Sequence, residues 1–488
     1  MTGPENPSFA ARLAELVKAA PDAPAVSMGQ TTLSRAELDR RSTRIARSLA
    51  ARGLKAGDLL TIALPNCIAF LEVAIACWKL GMTPQPVSGR LPAVELDAIA
   101  ELAGTPFIVA EGGLVAARPV VEPQTLLDES LDDSPLPDIV SACWKAPTSG
   151  GSTGRPKLIL SGDAGVFQPA MGELWRLGAN EVALMPAPLY HNAPLQDALY
   201  TLLCGGHLVL LPRFEPEAVL QEIEARRVSW IYLVPTMMSR IQRLPDAVRT
   251  GYDISSLKTL WHVAAPCPQW LKLAWIEWLG PEVIWEAYGA TEGQAATVIS
   301  GAEYLAKPGS VGRVFVGEIK VMGPDGVEAR PGEIGEIYMR RPPGEAAPYR
   351  YIGAETVRID GGWESVGDIG MIDADGYVFL SDRRSDLILV GGANVYPAEV
   401  EAALEEHPAV QSCAVVGLPD EDLGQRVHAI VQRRCEIAVA ELEAHMAERL
   451  VRYKRPSSYE FVSEALRDDA GKVRRSQLRD ARLGPPTN

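Results

Sequence analysis

"TSGGSTGRPKLIL", residues 148–160, is the stretch on which the reading of this chain turns. Its glycines, hydroxyls and lysine are the ingredients of a phosphate-binding loop. A nucleotide-hydrolysing P-loop needs GxxxxGK followed by Ser or Thr, with the lysine opening a helix whose N-terminus faces the phosphates. Here Lys157 follows Pro156 and precedes Leu-Ile-Leu, and no GK[ST] triplet occurs anywhere in the chain. The flanks "DIVSACWK" and "KLILS" favour strands, so the loop is predicted to sit on a hairpin. Backbone N–H groups of Gly150, Gly151 and Gly154 could then form an anion nest without a helix dipole, with Ser149, Ser152 and Thr153 adding hydroxyl donors. A flexible surface loop is the plain alternative.

Outward from this loop, helical patterns alternate with short apolar runs: "AELDRRSTRIARSLAARG" then "DLLTIAL", and later "AVLQEIEARRV" then "SWIYLVP". Such alternation predicts βαβ units of a mostly parallel sheet, hence an α/β fold up to about Pro308. Residues 309–382 change texture to short β-rich pieces between turns, a small β-rich subdomain. From about residue 386 helices return among strands, which predicts a separate, smaller α+β C-terminal domain with its junction at 383–385. The tail "LGPPTN" reads as disordered. "DADG", residues 373–376, imitates the start of a calcium loop, but position twelve would be Arg384 instead of Glu, so it is a hairpin turn. The tryptophans between Trp261 and Trp285 recur near helical spacing and read as core.

A chain of 488 residues is too long for one compact core, and 47% hydrophobic residues give ample material to bury. The net charge of −15 disfavours nucleic acid or an anionic membrane as a partner held by general electrostatics. No run of about 18 apolar residues is present, and the start lacks the pattern of a secretion signal, so a cytoplasmic location is expected. The seven cysteines stand singly with no CxxC pair, which points to reduced thiols acting as small core residues.

"SGGSTGRPK" resembles the phosphate loop of the adenylate-forming superfamily, and further signatures of that family follow in order. "YGATEG", residues 288–293, resembles its aromatic-Gly-x-Thr-Glu motif. The resemblance implies that Tyr288 packs on adenine with Glu286, Ala287 and Gly289 beside it, that Thr291 donates to the α-phosphate, and that Glu292 holds Mg²⁺. A carboxylate suits that hard cation. "SVGDIG" supplies Asp368 for the ribose hydroxyls, joined by Arg383; "HVAAPCP" places Ala265 and Pro266 at the adenine wall. "AGKVRR" matches the C-terminal signature, whose lysine is Lys472. It would be a mobile cation between two anions, the acid and ATP. Lys157 would then only position the leaving pyrophosphate.

What the resemblance implies for architecture is an adenylation domain over residues 1–382, a hinge at 383–385 with Ser385 where the family has Asp or Lys, and a mobile lid over 386–488. "DLILVGGANVYPAEVE" would line the pantetheine tunnel after the lid rotates, with Gly391 and Gly392 letting the thiol arm of CoA approach. The implied activity is that of an AMP-forming acyl-CoA synthetase using ATP, Mg²⁺ and CoA. In "PLYHNAPL" the resemblance places His191 at the mouth of the acyl pocket, and His191-Asn192 replaces the Phe-Asp of amino-acid-activating relatives, so an amino acid is not expected; no charged residue stands out near "YGATEGQAATVI", which suits an apolar acid. "PKLI" and "TPQPVSGRLP" resemble ligases of bulky polycyclic, steroid-like acids. Delivery to a carrier-protein phosphopantetheine, and a catalytically silent binding relative, are the alternatives. The sequence leaves the oligomeric state open, a homodimer included.

Overall fold

The computed structural model describes residues 6–150, 156–356, 358–468 and 471–483. The tail read as disordered lies, but for Leu483, outside them. A central sheet carries the larger, N-terminal part. Its parallel run is Pro24–Met28, His207–Leu210, Val182–Met185, Trp230–Leu233, Thr259–His262 and Ile284–Gly289, side by side in that order. Strands buried on both faces need continuous apolar runs. Trp230–Leu233 and Thr259–His262 are buried at every position, with helices Asn192–Leu203 and Gln269–Leu279 among the elements covering them.

At Ile284–Gly289 the direction reverses. The next strand, Ala296–Ser300, returns antiparallel, and the loop between the two holds the Thr-Glu-Gly residues. This reversal is where a sheet opens a crevice at its strand ends. The β-rich stretch that the sequence predicts as a small subdomain is joined to the central sheet by strand pairing. Ser310–Val316 pairs with Ala296–Ser300 on one side and Tyr377–Arg383 on the other, so the central sheet runs on through Trp363–Ile372 and Gly335–Arg340. Its own small core, including Val311, Val321, Ile337, Met339 and Val378, accounts for the change in texture. Among the described residues no helix interrupts it.

A four-stranded parallel sheet, Thr83–Pro86, Leu59–Ala63, Ile108–Ala110 and Val120–Val121, flanks the first half. Helix Arg35–Ala51 starts with a Ser34/Glu37 capping box, which satisfies orphan N–H groups at its first turn. Its neighbour Ile68–Lys79 is buried almost throughout, and its two charges are paired: Glu72 with Arg41, and Lys79 with Asp39 at 2.6 Å. The tryptophans read as core are core or packed against it, with Trp261 fully buried. All seven cysteines are free; Cys435 is exposed, contrary to the core role expected for each, because it stands in the turn after a long strand.

The C-terminal part has its own sheet, Ala393–Val395, Ile388–Val390, Gly424–Arg433 and Val410–Asp420, with Ser458–Val462 added parallel to Gly424–Arg433. Helices Pro397–Glu405 and Val439–Arg449 cover a second hydrophobic core that includes Val400, Leu404, Val415, Val431, Leu442 and Met446. No described helix is long and apolar enough to cross a membrane.

Candidate active site

The phosphate stretch is a hairpin, as its flanks predict. Thr148–Gly150 pairs antiparallel with Pro156–Ser161, Thr148 opposite Leu158 and Ser149 opposite Lys157. Gly151, Ser152, Thr153 and Gly154 lie outside the described residues. The second strand pairs on its other edge with Tyr349–Ile352, which sets Tyr351 opposite Ile159. This neighbour is decisive for the site. Tyr351 Oη donates to Glu292 Oε1 at 2.6 Å, and the Lys157 ammonium lies 3.8 Å from the centre of the Tyr351 ring and 3.6 Å from the same carboxylate oxygen. Burial, and after it the Glu292 carboxylate, pushes the Tyr351 phenol well above its ordinary range, so it stays a donor. Tyr351 has no counterpart among the residues singled out from the sequence.

Around the turn at the sheet's reversal, Tyr288 Oη donates to Asp368 Oδ2 at 2.7 Å, and Arg383 Nε lies 3.4 Å from Asp368 Oδ1. Asp368 and Arg383 are directly opposed on the antiparallel pair joined by the "DADG" turn. That turn is a hairpin and no calcium loop: Asp373 Oδ1 accepts the Asp375 and Tyr377 N–H groups, and Lys307 binds Asp373 at 2.8 Å. Burial raises the Asp368 carboxyl, with Arg383 and the Tyr288 hydrogen bond opposing. Gly289 admits no larger residue without crowding, since a Cβ there would sit 3.1 Å from the Ala295 carbonyl oxygen. Arg341 Nε donates to the Gly293 carbonyl at 2.8 Å and fixes the far side of the Thr291-Glu292 turn, another residue the motif did not reveal.

Glu286 forms a buried ion pair. Its carboxylate is held by the fully buried Lys272 ammonium, with His262 Nδ1 at 3.9 Å. Alternation along Ile284–Gly289 turns Glu286 toward helix Gln269–Leu279, on the opposite face from Ala287. Burial drives His262 well below the ordinary imidazole range, so it is neutral. In the loop after Thr259–His262, Ala264 adopts φ +76°, a left-handed conformation that alanine rarely takes; Ala265 and Pro266 follow it.

His191 is the N-cap of helix Asn192–Leu203, its ring 4.6 Å from that of Tyr190. The buried Asn66 pins the segment before it, accepting from Leu189 N (2.8 Å) and donating to the Ala187 (2.9 Å) and Leu211 (3.1 Å) carbonyls.

Lys472 arrives from the C-terminal part. Gly471, at φ +76°, presses its Cα against helix Pro235–Gln242: a Cβ there would lie 2.8 Å from Thr236 Oγ1. The adjoining turn is closed by Lys472 N to Asp468 Oδ1 (2.8 Å) and Asp468 N to Lys472 O (2.9 Å). Lys472 keeps accessible surface, yet protein crowds its ammonium enough that burial lowers its pKa; Arg383 lowers it further, while Asp468 and Glu292 oppose. The charges of Arg383 and Glu292 thus both act on Lys472. Gly391 (φ +56°) and Gly392 (φ +84°) form the tip between Ile388–Val390 and Ala393–Val395, fastened by Gly391 N to Leu423 O at 2.8 Å. No described contact joins them to the nucleotide residues in this orientation.

Among the described residues no cluster of three ligating side chains exists, and Glu292 is the carboxylate beside Lys157. That donor set fits Mg²⁺, which typically takes one or two protein carboxylates and completes its shell with substrate phosphates and water. The hairpin bearing Lys157, the Asp368–Arg383 pair and the Lys472 turn of the C-terminal part are the places where an adenylate-forming ligase is expected to hold its nucleotide. Residues 13–349 match the AMP-binding enzyme family and residues 399–472 its C-terminal domain. The chain belongs to the AMP-binding enzyme family and is a ligase of the acyl-CoA synthetase type. It is 35% identical over 475 residues to a feruloyl-CoA synthase of Amycolatopsis sp, covering 94% of this chain and 96% of that one. It is 34% identical to a 2-succinylbenzoate–CoA ligase of Geobacillus kaustophilus, covering 96% of each. The o-succinylbenzoate CoA synthetase of Bacillus subtilis in complex with its acyl-adenylate superposes with a TM-score of 0.84 at 28% identity over 99% of this chain and 100% of that one. The same enzyme with ATP and magnesium ion gives 0.82 at 27% identity, over 98% and 100%.

Proposed function

We propose that this chain activates an apolar aryl carboxylic acid with ATP and transfers the acyl group to CoA, giving acyl-CoA, AMP and pyrophosphate. The observation that carries this reading is the Lys157–Tyr351–Glu292 cluster of the larger part, together with the seating of Gly471, the neighbour of Lys472, on helix Pro235–Gln242. In the first half-reaction the carboxylate oxygen attacks the α-phosphorus and pyrophosphate leaves. Lys472 offsets the repulsion of two anions and stabilises charge as it builds on the α-phosphate. Thr291 donates to that phosphate, Lys157 positions the leaving pyrophosphate, and Asp368 with Arg383 holds the ribose. Mg²⁺ on Glu292 would neutralise phosphate charge.

In the second half-reaction the C-terminal part, as residues 386–488, turns about a hinge at 383–385. This withdraws Lys472 and brings the Gly391-Gly392 tip to the acyl-adenylate, whose carbonyl the CoA thiol attacks, releasing AMP. The relatives named for feruloyl and succinylbenzoyl groups favour an aryl acid over the polycyclic acid that "PKLI" suggests. His191 marks the entrance to the acyl pocket.

Two assays test the reading. Lys472→Ala should cripple acid-dependent pyrophosphate exchange, by about 10²-fold or more, and leave thioester formation from supplied acyl-AMP near normal. Equal loss in both half-reactions would count against the assignment. Incubation with free CoA or with a phosphopantetheinyl carrier protein, read by product mass, decides the acceptor; acyl carrier with no acyl-CoA would overturn the CoA reading.

A further inference from the structure

None of the motifs read from the sequence contains the strand Tyr349–Ile352, yet it grips the turn bearing Glu292 at two places. Residues two apart on a strand share a face, and the rings of Tyr349 and Tyr351 meet edge-on with their centres 4.7 Å apart. Tyr349 Oη donates to Glu364 Oε2 at 2.6 Å, and the same oxygen accepts from Nε2 of Gln294, two residues past Glu292, at 2.8 Å. Glu364 is buried, and its other oxygen accepts from Arg358 Nε at 2.6 Å. The second grip is on Glu292 itself, through Tyr351 Oη.

The contacts on the Glu292 carboxylate are one-sided. Tyr351 Oη at 2.6 Å and Lys157 Nζ at 3.6 Å both meet Oε1, and among the described residues no hydrogen bond or ion pair falls on Oε2. The two partners differ in permanence. Lys157 is an ammonium on a flexible stem, which a phosphate can draw away. Tyr351 is a rigid ring on a strand that pairs with the phosphate hairpin, opposite Ile159. Once the ammonium leaves, the phenol is the group that still orients the carboxylate. A hydrogen-bonded partner behind a metal-binding carboxylate is typically worth about 10- to 100-fold in metal affinity.

We propose that Tyr351 is a positioning residue for the metal in ATP binding: its hydroxyl holds Glu292 by Oε1 and so leaves Oε2 to Mg²⁺. This rests on the ligase reading above, in which Glu292 takes the Mg²⁺ that accompanies ATP. Tyr351 acts through Glu292 alone. Before ATP arrives its ring also shares the Lys157 ammonium with the carboxylate, 3.8 Å from the ring centre and 3.6 Å from Oε1, which keeps that cation beside the phosphate hairpin.

The test is equilibrium binding of ATP to the full chain, by calorimetry without acid or CoA, in saturating Mg²⁺ and in EDTA. The ratio of the Kd in EDTA to that in Mg²⁺ measures the coupling of metal to nucleotide. Tyr351→Phe keeps the ring and removes the donor; it should lower this ratio at least about 10-fold, by weakening binding in Mg²⁺ and not in EDTA. A merely structural role would weaken both alike. Tyr351→Leu should lower the ratio as far, so the test stands if one variant does not fold. In a Glu292→Gln background Tyr351→Phe should move the ratio by no more than about twofold, because nothing is left for the phenol to orient. A ratio in Tyr351→Phe that rises or stays within about threefold of wild type, or an equal further fall in the Glu292→Gln background, overturns this inference alone. Absence of ATP binding by wild type in Mg²⁺ overturns the ligase reading and this inference with it.

Discussion

Arg243 ties the two parts of the chain together in the orientation seen here, and its removal should separate the two half-reactions. It follows helix Pro235–Gln242 of the larger part, with its guanidinium 5.5 Å from the centre of the Trp270 ring. It donates to three backbone carbonyls of the smaller part: Glu405 O at 2.7 Å, and Val410 O and Gln411 O at 2.8 Å each. Glu405 is the last residue of helix Pro397–Glu405, whose final carbonyls lack intrahelical donors and carry partial negative charge. Charge-assisted bonds of this kind are worth about 1.5–3 kcal/mol when dry; discounted for partial exposure to about 1 kcal/mol each, they sum to about 3 kcal/mol. That bias belongs to this orientation, the one that holds Lys472 toward Glu292, and corresponds to roughly 10²-fold in the orientational equilibrium. Arg243→Met should therefore slow acid-dependent pyrophosphate exchange by up to about 10²-fold, and leave thioester formation from supplied acyl-AMP unchanged or faster. Arg243→Lys should fall between, since an ammonium keeps the charge but lacks the planar fork of five donors. Exchange within about threefold of wild type in Arg243→Met, or equal loss in both half-reactions, would refute the argument.

Three stability predictions follow from individual side chains. Lys272→Met strands the buried Glu286 carboxylate and should cost about 3–5 kcal/mol in urea unfolding; a loss under about 1 kcal/mol would show the pair to be dispensable. Asp382 accepts from Ala398 N at 2.7 Å, and burial raises its pKa from 3.8 to about 6. A raised carboxyl favours the folded state when protonated, so this increment is complete below about pH 4 and lost as pH rises through about 6. The loss amounts to up to about 3 kcal/mol. Asp382→Asn should flatten that window in a melting-temperature profile, and an unchanged slope between the two pH values would dismiss it. Ala264→Gly relieves a left-handed alanine costing about 1 kcal/mol, against a similar entropy penalty for glycine, so melting should be unchanged or slightly raised; a clear fall would show that the methyl packs usefully.

The chemistry that was legible in the sequence is chemistry in which the chain meets itself nearby. The strand flanks of "TSGGSTGRPKLIL" fix a hairpin because both strands are adjacent, and Asp368 reaches Arg383 because a single turn separates their strands. Periodicity likewise announced the C-terminal helices and strands. Residues whose partners are distant left no such trace. Tyr351 meets Glu292 only because its strand adds to the phosphate hairpin instead of to the neighbouring β-rich strands, and no local pattern encodes which edge a strand will join. For the same reason the pairing that continues the central sheet through the β-rich region left no local trace, nor did the ion pair that Lys272, on the preceding helix, makes with Glu286.

The sequence by itself determined the residue types and their local backbone: a loop of glycines and hydroxyls, a Thr-Glu turn, a glycine-borne lysine near the end. Tertiary structure decided which of them act together. The sheet's reversal after Ile284–Gly289 sets the turn that carries Glu292, and the smaller part docks on the larger through Gly471 and Arg243. Motifs are set by short-range backbone and side-chain preferences, whereas their assembly depends on strand order and domain orientation, which are free energies of packing spread over the whole chain.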